Sequence, residues 1–208
     1  MAVASRGRPR ATGEAPGERD SRQDVLGAAA ELFVSHGYSA TSTRSIAEKA
    51  GLRQASLYHY FAGKEDILAE LLAGTVRPSL DYAARLSEKA AEDWAKLWAL
   101  ARFDIGLLCS GPVNLGALYL LPEIGADRFA AFRRERAELK AIYRGLAGAG
   151  EITGDLLFGL VESVIIVRRE KPPAEGFAAA GADAALRVAG CPETRLAEMR
   201  SAGLALCP

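Results

Sequence analysis

The 208-residue sequence has few of the features that mark membrane, secreted or metal-binding proteins. Its longest apolar stretch, residues 156–167, is interrupted by Gly159, Glu162 and Ser163, whereas a membrane span requires roughly 18 nearly uninterrupted apolar residues. No apolar segment follows the N-terminal arginines, which argues against a secretory signal. The three cysteines are far apart and form no CxxC pair, and there are only two histidines. We therefore expect no disulfide framework, no metal site and no membrane association, and a location in the reducing cytoplasm.

Motifs that carry enzymatic chemistry are also missing. The sequence has no GxSxG elbow, no Walker loop, no HExxH and no GxGxxG after a strand. Asp155 and Glu162 share one face of a predicted helix, a spacing that allows paired-carboxylate chemistry, but polar groups lining a pocket or an interface explain them more simply. We predict that the protein is not an enzyme and uses no cofactor.

Helical patterns are abundant. Alanine and leucine dominate, and apolar residues recur at helical spacing through most of the chain, whereas strand signals are scarce. Residues 1–20 are rich in glycine, proline and arginine and predict a flexible basic arm. Residues 21–66 and 67–208 predict two helical domains, so we expect an all-α protein.

The segment 41–64 combines hydroxyl, amide, aromatic and basic side chains. The hydroxyls of residues 41–43 can cap a short helix that ends at Gly51, and a second short helix begins near Gln54. Two helices of this size joined by a tight turn form a helix-turn-helix, whose second helix fits the major groove of DNA. There, arginine and glutamine bind base edges while serine and tyrosine bind phosphates. The net positive charge of this segment favours the same interpretation. It contains one acidic residue, Glu48, and four basic ones: Arg44, Lys49, Arg53 and Lys64.

Residues 37–64 closely resemble the DNA-binding motif of the TetR family of transcriptional regulators. The resemblance rests on Thr-Ser-Thr-Arg-Ser-Ile-Ala-Glu-Lys-Ala-Gly at 41–51, on Leu-Tyr-His-Tyr-Phe at 57–61 and on Lys64. Ala55 stands where the family has a small Gly or Pro, a difference expected to change base preference rather than abolish docking. The residues assigned to the DNA interface are Ser42, Thr43, Arg44, Arg53, Gln54, Ala55, Ser56, Tyr58, His59, Tyr60 and Lys64.

The resemblance implies a three-helix DNA-binding domain followed by a helical ligand-binding and dimerisation domain. It also implies a homodimer that binds a palindromic operator and a small-molecule effector, and we expect a repressor that the effector releases. Two alternatives stay open. One is a helical enzyme or protein-interaction module that retains the helix-turn-helix only as a scaffold, and the other is an activator switched by a protein partner.

The C-terminal domain contains candidates for both implied contacts. The segment 153–169 is apolar almost all round, so it requires burial on two sides, and a partner subunit is the simplest second side. We predict a dimer through this helix and the one at 175–189, with Leu157, Val161 and Ile165 at the interface. The aromatic side chains are candidates for binding a largely apolar effector, with core packing as the alternative: Trp94, Trp98, Phe103, Tyr119, Phe129, Phe132 and Phe158.

The basic arm contains Arg6-Gly7-Arg8-Pro9-Arg10, which resembles the core of an AT-hook. Such a segment inserts arginines into a narrow minor groove, or it attracts phosphates without specificity. A single copy does not separate these two interpretations.

Overall fold

The computed structural model describes the backbone from Glu18 and the side chains from Ser21 to the C-terminus. Over that range the chain forms α-helices and short 3-10 helices and no strand, which confirms the prediction of an all-α protein. The basic arm lies outside the described residues apart from its last three, which begin α1, so its contact with the minor groove stays a prediction. The α-helices are α1 (Glu18–His36), α2 (Thr43–Lys49), α3 (Gln54–Leu57), α4 (Lys64–Ser87), α5 (Asp93–Cys109), α6 (Ala130–Ala147), α7 (Glu151–Glu170), α8 (Phe177–Val188) and α9 (Glu193–Leu206), with 3-10 helices at Leu115–Leu120, Pro122–Gly125 and Asp127–Phe129.

The chain divides into two compact units, the first ending at Leu68 and the second spanning Ala69–Pro208. The division falls inside α4, which continues through Pro78 as one helix. None of the helices described is both long enough and apolar enough to span a membrane.

The first unit is built from α1, α2, α3 and the start of α4. Its core contains Phe33 from α1, Ile46 from α2 and Leu57 from α3, all essentially inaccessible to solvent. Gly51 makes the turn between α2 and α3 with a φ of 69°, a left-handed conformation that glycine adopts without strain. The turn closes with a hydrogen bond from the Leu52 N–H to the Ala47 carbonyl at 2.8 Å.

Helix α3 begins at Gln54, as predicted, and is a single turn that ends at Leu57. After Leu57 the backbone tightens, because the His59 N–H bonds to Ser56 and the Tyr60 N–H bonds to Leu57, three residues back rather than four. This tight turn sets the orientation of the side chains that follow α3, among them His59 and Tyr60.

In the second unit, α5 packs against α6, α7, α8 and α9. Its apolar side chains Leu97, Trp98 and Leu100 are fully buried. Gly203 allows α9 to approach α5 closely. A Cβ added at Gly203 of α9 would lie 2.9 Å from the Ala95 carbonyl oxygen of α5, so any larger residue there would displace α9.

One carboxyl group is buried in this apolar core. Asp104 of α5 accepts hydrogen bonds from the Ser79 hydroxyl of α4 at 3.0 Å and from the Tyr143 hydroxyl of α6 at 3.1 Å. Burial raises the pKa of the Asp104 carboxyl from its usual 3.8 to about 7, against the smaller lowering effect of these two hydrogen bonds. Asp104 therefore links three helices through hydrogen bonds while it favours the protonated form.

Candidate functional site

Three polar side chains from α2 and α3 join at the surface of the first unit. The Gln54 amide donates to Thr43 Oγ1 at 3.1 Å, and the Tyr58 hydroxyl lies 3.1 Å from the same oxygen. The Tyr58 side chain is half exposed, and Gln54 is exposed. This Thr43–Gln54–Tyr58 cluster orients an amide and two hydroxyl groups on one surface, and such groups bind base edges and phosphates.

Ser42 has a structural role at the start of α2. Its hydroxyl accepts a hydrogen bond from the Ser45 N–H at 3.0 Å, and the Ser45 hydroxyl accepts one from the Ser42 N–H at 3.0 Å. This reciprocal capping satisfies donors that a helix N-terminus otherwise leaves unpaired. Ser42 therefore fixes the orientation of α2.

Arg44 extends from α2 and forms an ion pair with Glu48 one turn later, with Nε and Oε1 2.9 Å apart. The two side chains are 77% and 63% exposed. An exposed pair at this spacing is worth only about 0.3–0.5 kcal/mol, so Arg44 can exchange Glu48 for a phosphate or a base at little cost. The partner role of Glu48 was missed in the sequence analysis, although the spacing of four residues was visible there.

The other predicted residues around α3 divide by exposure. Arg53, Ala55 and His59 are exposed, while Ser56 and Tyr60 are half-buried. Leu57 and Phe61 pack beneath them in the core of the unit. All of the exposed residues belong to α3 or to the turns that flank it, as Gln54 and Tyr58 do.

Lys64, which the sequence predicts to contact a DNA phosphate, forms contacts within the first unit. Its ammonium group donates to the carbonyl oxygens of Tyr38 at 2.9 Å and Thr41 at 3.0 Å. It also lies 4.4 Å from the centre of the Tyr38 ring. Backbone carbonyls attract a cation as a phosphate would, and here they belong to the turn between α1 and α2. Lys64 thus holds this turn against the start of α4, and its contact with a DNA phosphate stays a prediction.

The second unit contains a half-open cleft of about 460 Å³ between α6, α7 and the 3-10 helices that precede α6. Two predicted aromatic residues, Tyr119 and Phe132, line it with their ring centres 5.3 Å apart. The cleft is also lined by residues that the sequence did not assign to an effector site: Leu120, Ile124, Arg133, Arg136, Gly159, Ser163, Ile165 and Ile166.

The other five predicted aromatic residues are not among those that line this cleft. Trp98 is fully buried and donates to Asp183 at 2.7 Å. Core packing also accounts for Phe129, which is 2% exposed. The remaining three contact other side chains: Phe103 stacks on Tyr82, Phe158 packs edge-on against Tyr143, and Trp94 lies beside the Arg195 guanidinium.

An ion pair contributes to the polar surface of the cleft. The Arg136 guanidinium donates to both carboxylate oxygens of Glu162, with Nε and Oε1 2.7 Å apart. Tyr119 directs its hydroxyl away to Thr75 at 2.7 Å, and burial raises the pKa of this hydroxyl well above its usual value. The cleft therefore combines apolar walls with the Arg136–Glu162 ion pair and the Arg133 guanidinium, which donates to the Ile124 and Ala126 carbonyl oxygens.

Helix α7 presents a different outward face from the predicted one. Leu157, Val161 and Ile165 are at most 5% exposed because they pack inside the second unit, which corrects their assignment to a subunit interface. Ile165 also lines the cleft. The side chains on the opposite face form what we term the outer stripe: Ile152, Leu156, Gly159, Ser163 and Ile166.

The outer stripe is strongly apolar for a surface. Ile152, Leu156 and Ile166 are 78%, 61% and 51% exposed. The hydrophobic pattern did not indicate which face is outward, because leucine, isoleucine and valine occur on both faces of α7.

Residues 25–71 match the family model described as "Bacterial regulatory proteins, tetR family". The HTH-type transcriptional repressor KstR2 of Rhodococcus jostii (strain RHA1) is 39% identical over 137 residues, which cover 64% of this chain and 67% of that protein. KstR2 of Mycobacterium tuberculosis (strain ATCC 25618 / H37Rv) is 46% identical over 59 residues, which span only 30% of its own length.

Among solved structures, the crystal structure of AmtR from Mycobacterium smegmatis superimposes with a TM-score of 0.83 at 46% identity. The match covers 95% of this chain and 97% of that one, so the resemblance extends through both units. Both KstR2 proteins are named transcriptional repressors, in agreement with the prediction that this chain is a regulator and not an enzyme.

Proposed function

The chain belongs to the TetR family of transcriptional regulators, and on that premise we propose that it is a homodimeric repressor. It binds a palindromic operator and leaves the operator when a small molecule occupies the cleft of its second unit. We place this activity in the cytoplasm, where the DNA to be regulated lies.

The observation that carries the proposal is the exposed polar surface of α2 and α3. The Thr43–Gln54–Tyr58 cluster presents pre-oriented hydrogen-bonding groups, and Arg44 beside it is held by only one exposed ion pair. Pre-orientation lowers the entropy cost of binding. A glutamine amide forms two hydrogen bonds with adenine and an arginine forms two with guanine, so both residues can distinguish base sequence.

A dimer follows from the size of this surface. One helix-turn-helix contacts too few base pairs for useful specificity, whereas two related by a two-fold axis bind both halves of a palindrome. The outer stripe supports such a dimer, because Ile152, Leu156 and Ile166 are left exposed in the single chain. Burying a side chain of this size is worth about 1.5–3 kcal/mol, so a second subunit on this face would be strongly stabilised.

The cleft is our candidate for the effector site. Its apolar walls suit a largely apolar molecule, and the Arg136–Glu162 pair offers one polar anchor. Release from DNA then requires only that the effector bind more tightly to a conformation of the dimer in which the two α3 helices, one from each subunit, are wrongly spaced for the operator.

A gel-shift titration on the DNA that flanks the protein's own gene tests the proposal. We expect a specific complex that survives excess competitor DNA and contains two chains. Gln54→Ala is expected to weaken it, and Gln23→Ala, which alters an exposed glutamine on α1, serves as the matched control. No shift at low salt by a folded dimer would contradict the proposal and favour the scaffold alternative.

A further inference from the structure

The outer stripe has the spacing of a helix-pairing surface. Its residues follow one another at alternating intervals of four and three, which keeps them in line along α7. This interval is typical of helices that pack side by side at a shallow angle of about 20°. The stripe is therefore shaped to receive another helix along its length.

Gly159, near the middle of the stripe, has no packing role within its own subunit. A Cβ added there would meet no other atom within 4 Å. Glycine in the middle of an exposed helix is less stable than alanine, so the single chain gains nothing from it. Close approach by a second helix explains the residue, and Ser163 one turn later is also small.

The charges on α7 favour a second copy of the same helix as the occupant. Exposed Glu151 lies in its first turn, whereas the exposed residues Arg169, Glu170 and Lys171 at its end have a net positive charge. Two copies related by a two-fold axis perpendicular to α7 run antiparallel, so the acidic end of each faces the basic end of the other. The axis then passes between Gly159 and Ser163, where the small residues permit close contact.

The outer stripe and the cleft share residues. Gly159, Ser163 and Ile166 belong to the stripe and also line the cleft, next to Leu120, which is 61% exposed. A two-fold axis between Gly159 and Ser163 would bring the Leu156 side chain of a second copy onto Ile166 at the edge of the cleft.

We propose that the cleft is incomplete in a single chain and that α7 of a second copy forms its missing wall. This inference rests on the proposed homodimer. An effector in the cleft contacts both subunits, so its binding and the geometry of the dimer are coupled directly. By linkage, such an effector also tightens the dimer.

The accessibility of Leu120 tests this arrangement. A Leu120→Cys chain is prepared with the native cysteines replaced by serine, and its reaction rate with Ellman's reagent is measured. In the dimer we expect the thiol to react about tenfold more slowly than in the monomer, because a covered thiol is reached only when the interface opens. Dilution of the protein is expected to restore the fast rate.

Two charged variants test whether the slow reaction of the thiol depends on the dimer. Leu156→Glu lies on the outer stripe but outside the cleft, and we expect it to give monomers with a fast-reacting Leu120→Cys thiol. Leu204→Glu changes an exposed leucine of α9 and is the matched control. We expect it to keep the dimer mass and the slow thiol reaction rate of the parent. Equal thiol rates in dimer and monomer would overturn the inference while the DNA-binding proposal stands. A parent chain that sediments as a monomer would overturn both the inference and the proposed homodimer.

A second measurement does not depend on the thiol. Gly159→Leu meets open space within the subunit, so we expect normal helix content and a weakened dimer. Gly145→Leu, at an exposed helical glycine of α6 with equally open surroundings, is expected to leave the dimer intact. A Gly159→Leu chain that dimerises as tightly as Gly145→Leu would overturn the inference.

Discussion

The ammonium group of Lys64 donates to the Tyr38 carbonyl oxygen at 2.9 Å and lies over the ring of the same residue. Lys64 begins α4 and Tyr38 follows α1, so this contact closes the first unit across its helix-turn-helix. The residue that sequence assigns to a phosphate therefore stabilises the scaffold that presents α3.

Replacing Lys64 is expected to affect folding more than charge. Lys64→Met removes two hydrogen bonds to carbonyls and a cation–π contact, and we expect a loss of about 1–3 kcal/mol of unfolding free energy. Chemical denaturation measures this loss. If Lys64 also neutralises a DNA phosphate, as the sequence predicts, its removal makes the dependence of log affinity on log salt shallower by about 0.9, and an unchanged slope would contradict that contact.

Gln54 is expected to contribute sequence preference. In Gln54→Ala the amide that bonds to Thr43 is lost, together with any bidentate contact to adenine. We expect specific binding to weaken by about 1–3 kcal/mol and nonspecific binding to change little. Fluorescence anisotropy with operator and scrambled duplexes measures both, and an equal loss on the two duplexes would contradict a base-reading role.

The helix-turn-helix was predictable from the sequence because its signals are local. The capping hydroxyls, the glycine turn and the motif lie within one short segment, and the family resemblance agrees with them. The role of Lys64 was not predictable in this way, because its carbonyl partners at Tyr38 and Thr41 are more than twenty residues away.

The site in the second unit was predicted only in part, for a physical reason. Aromatic side chains fill cores and line pockets equally well, so composition did not separate Tyr119 and Phe132 from Trp98 and Phe129. The buried and exposed faces of α7 are both aliphatic, and only packing against α5 and α6 decides which face is outward.

Asp104 is expected to make stability depend on pH. Its folded pKa of about 7 lies above the usual 3.8, so the folded state holds a proton that the unfolded state has released between these values. The free energy of unfolding should therefore decrease as pH rises from about 4 to about 7, by at most about 4 kcal/mol at about 1.4 kcal/mol per unit.

Asp104→Asn isolates this contribution because asparagine does not titrate. We expect the variant to gain stability relative to the parent as pH rises from 5 to 8, measured by urea denaturation at each pH. Asp155→Asn, on the exposed surface of α7, is the control and should follow the parent. A constant difference between Asp104→Asn and the parent across this range would contradict the raised pKa.

The central claim, that the chain binds a palindrome as a dimer through α2 and α3, is tested most directly by hydroxyl-radical footprinting on the DNA beside its own gene. The account predicts two protected half-sites related by a two-fold axis, both lost together in Gln54→Ala and retained in Gln23→Ala. A single asymmetric protected site, or protection that Gln54→Ala leaves unchanged, would contradict it.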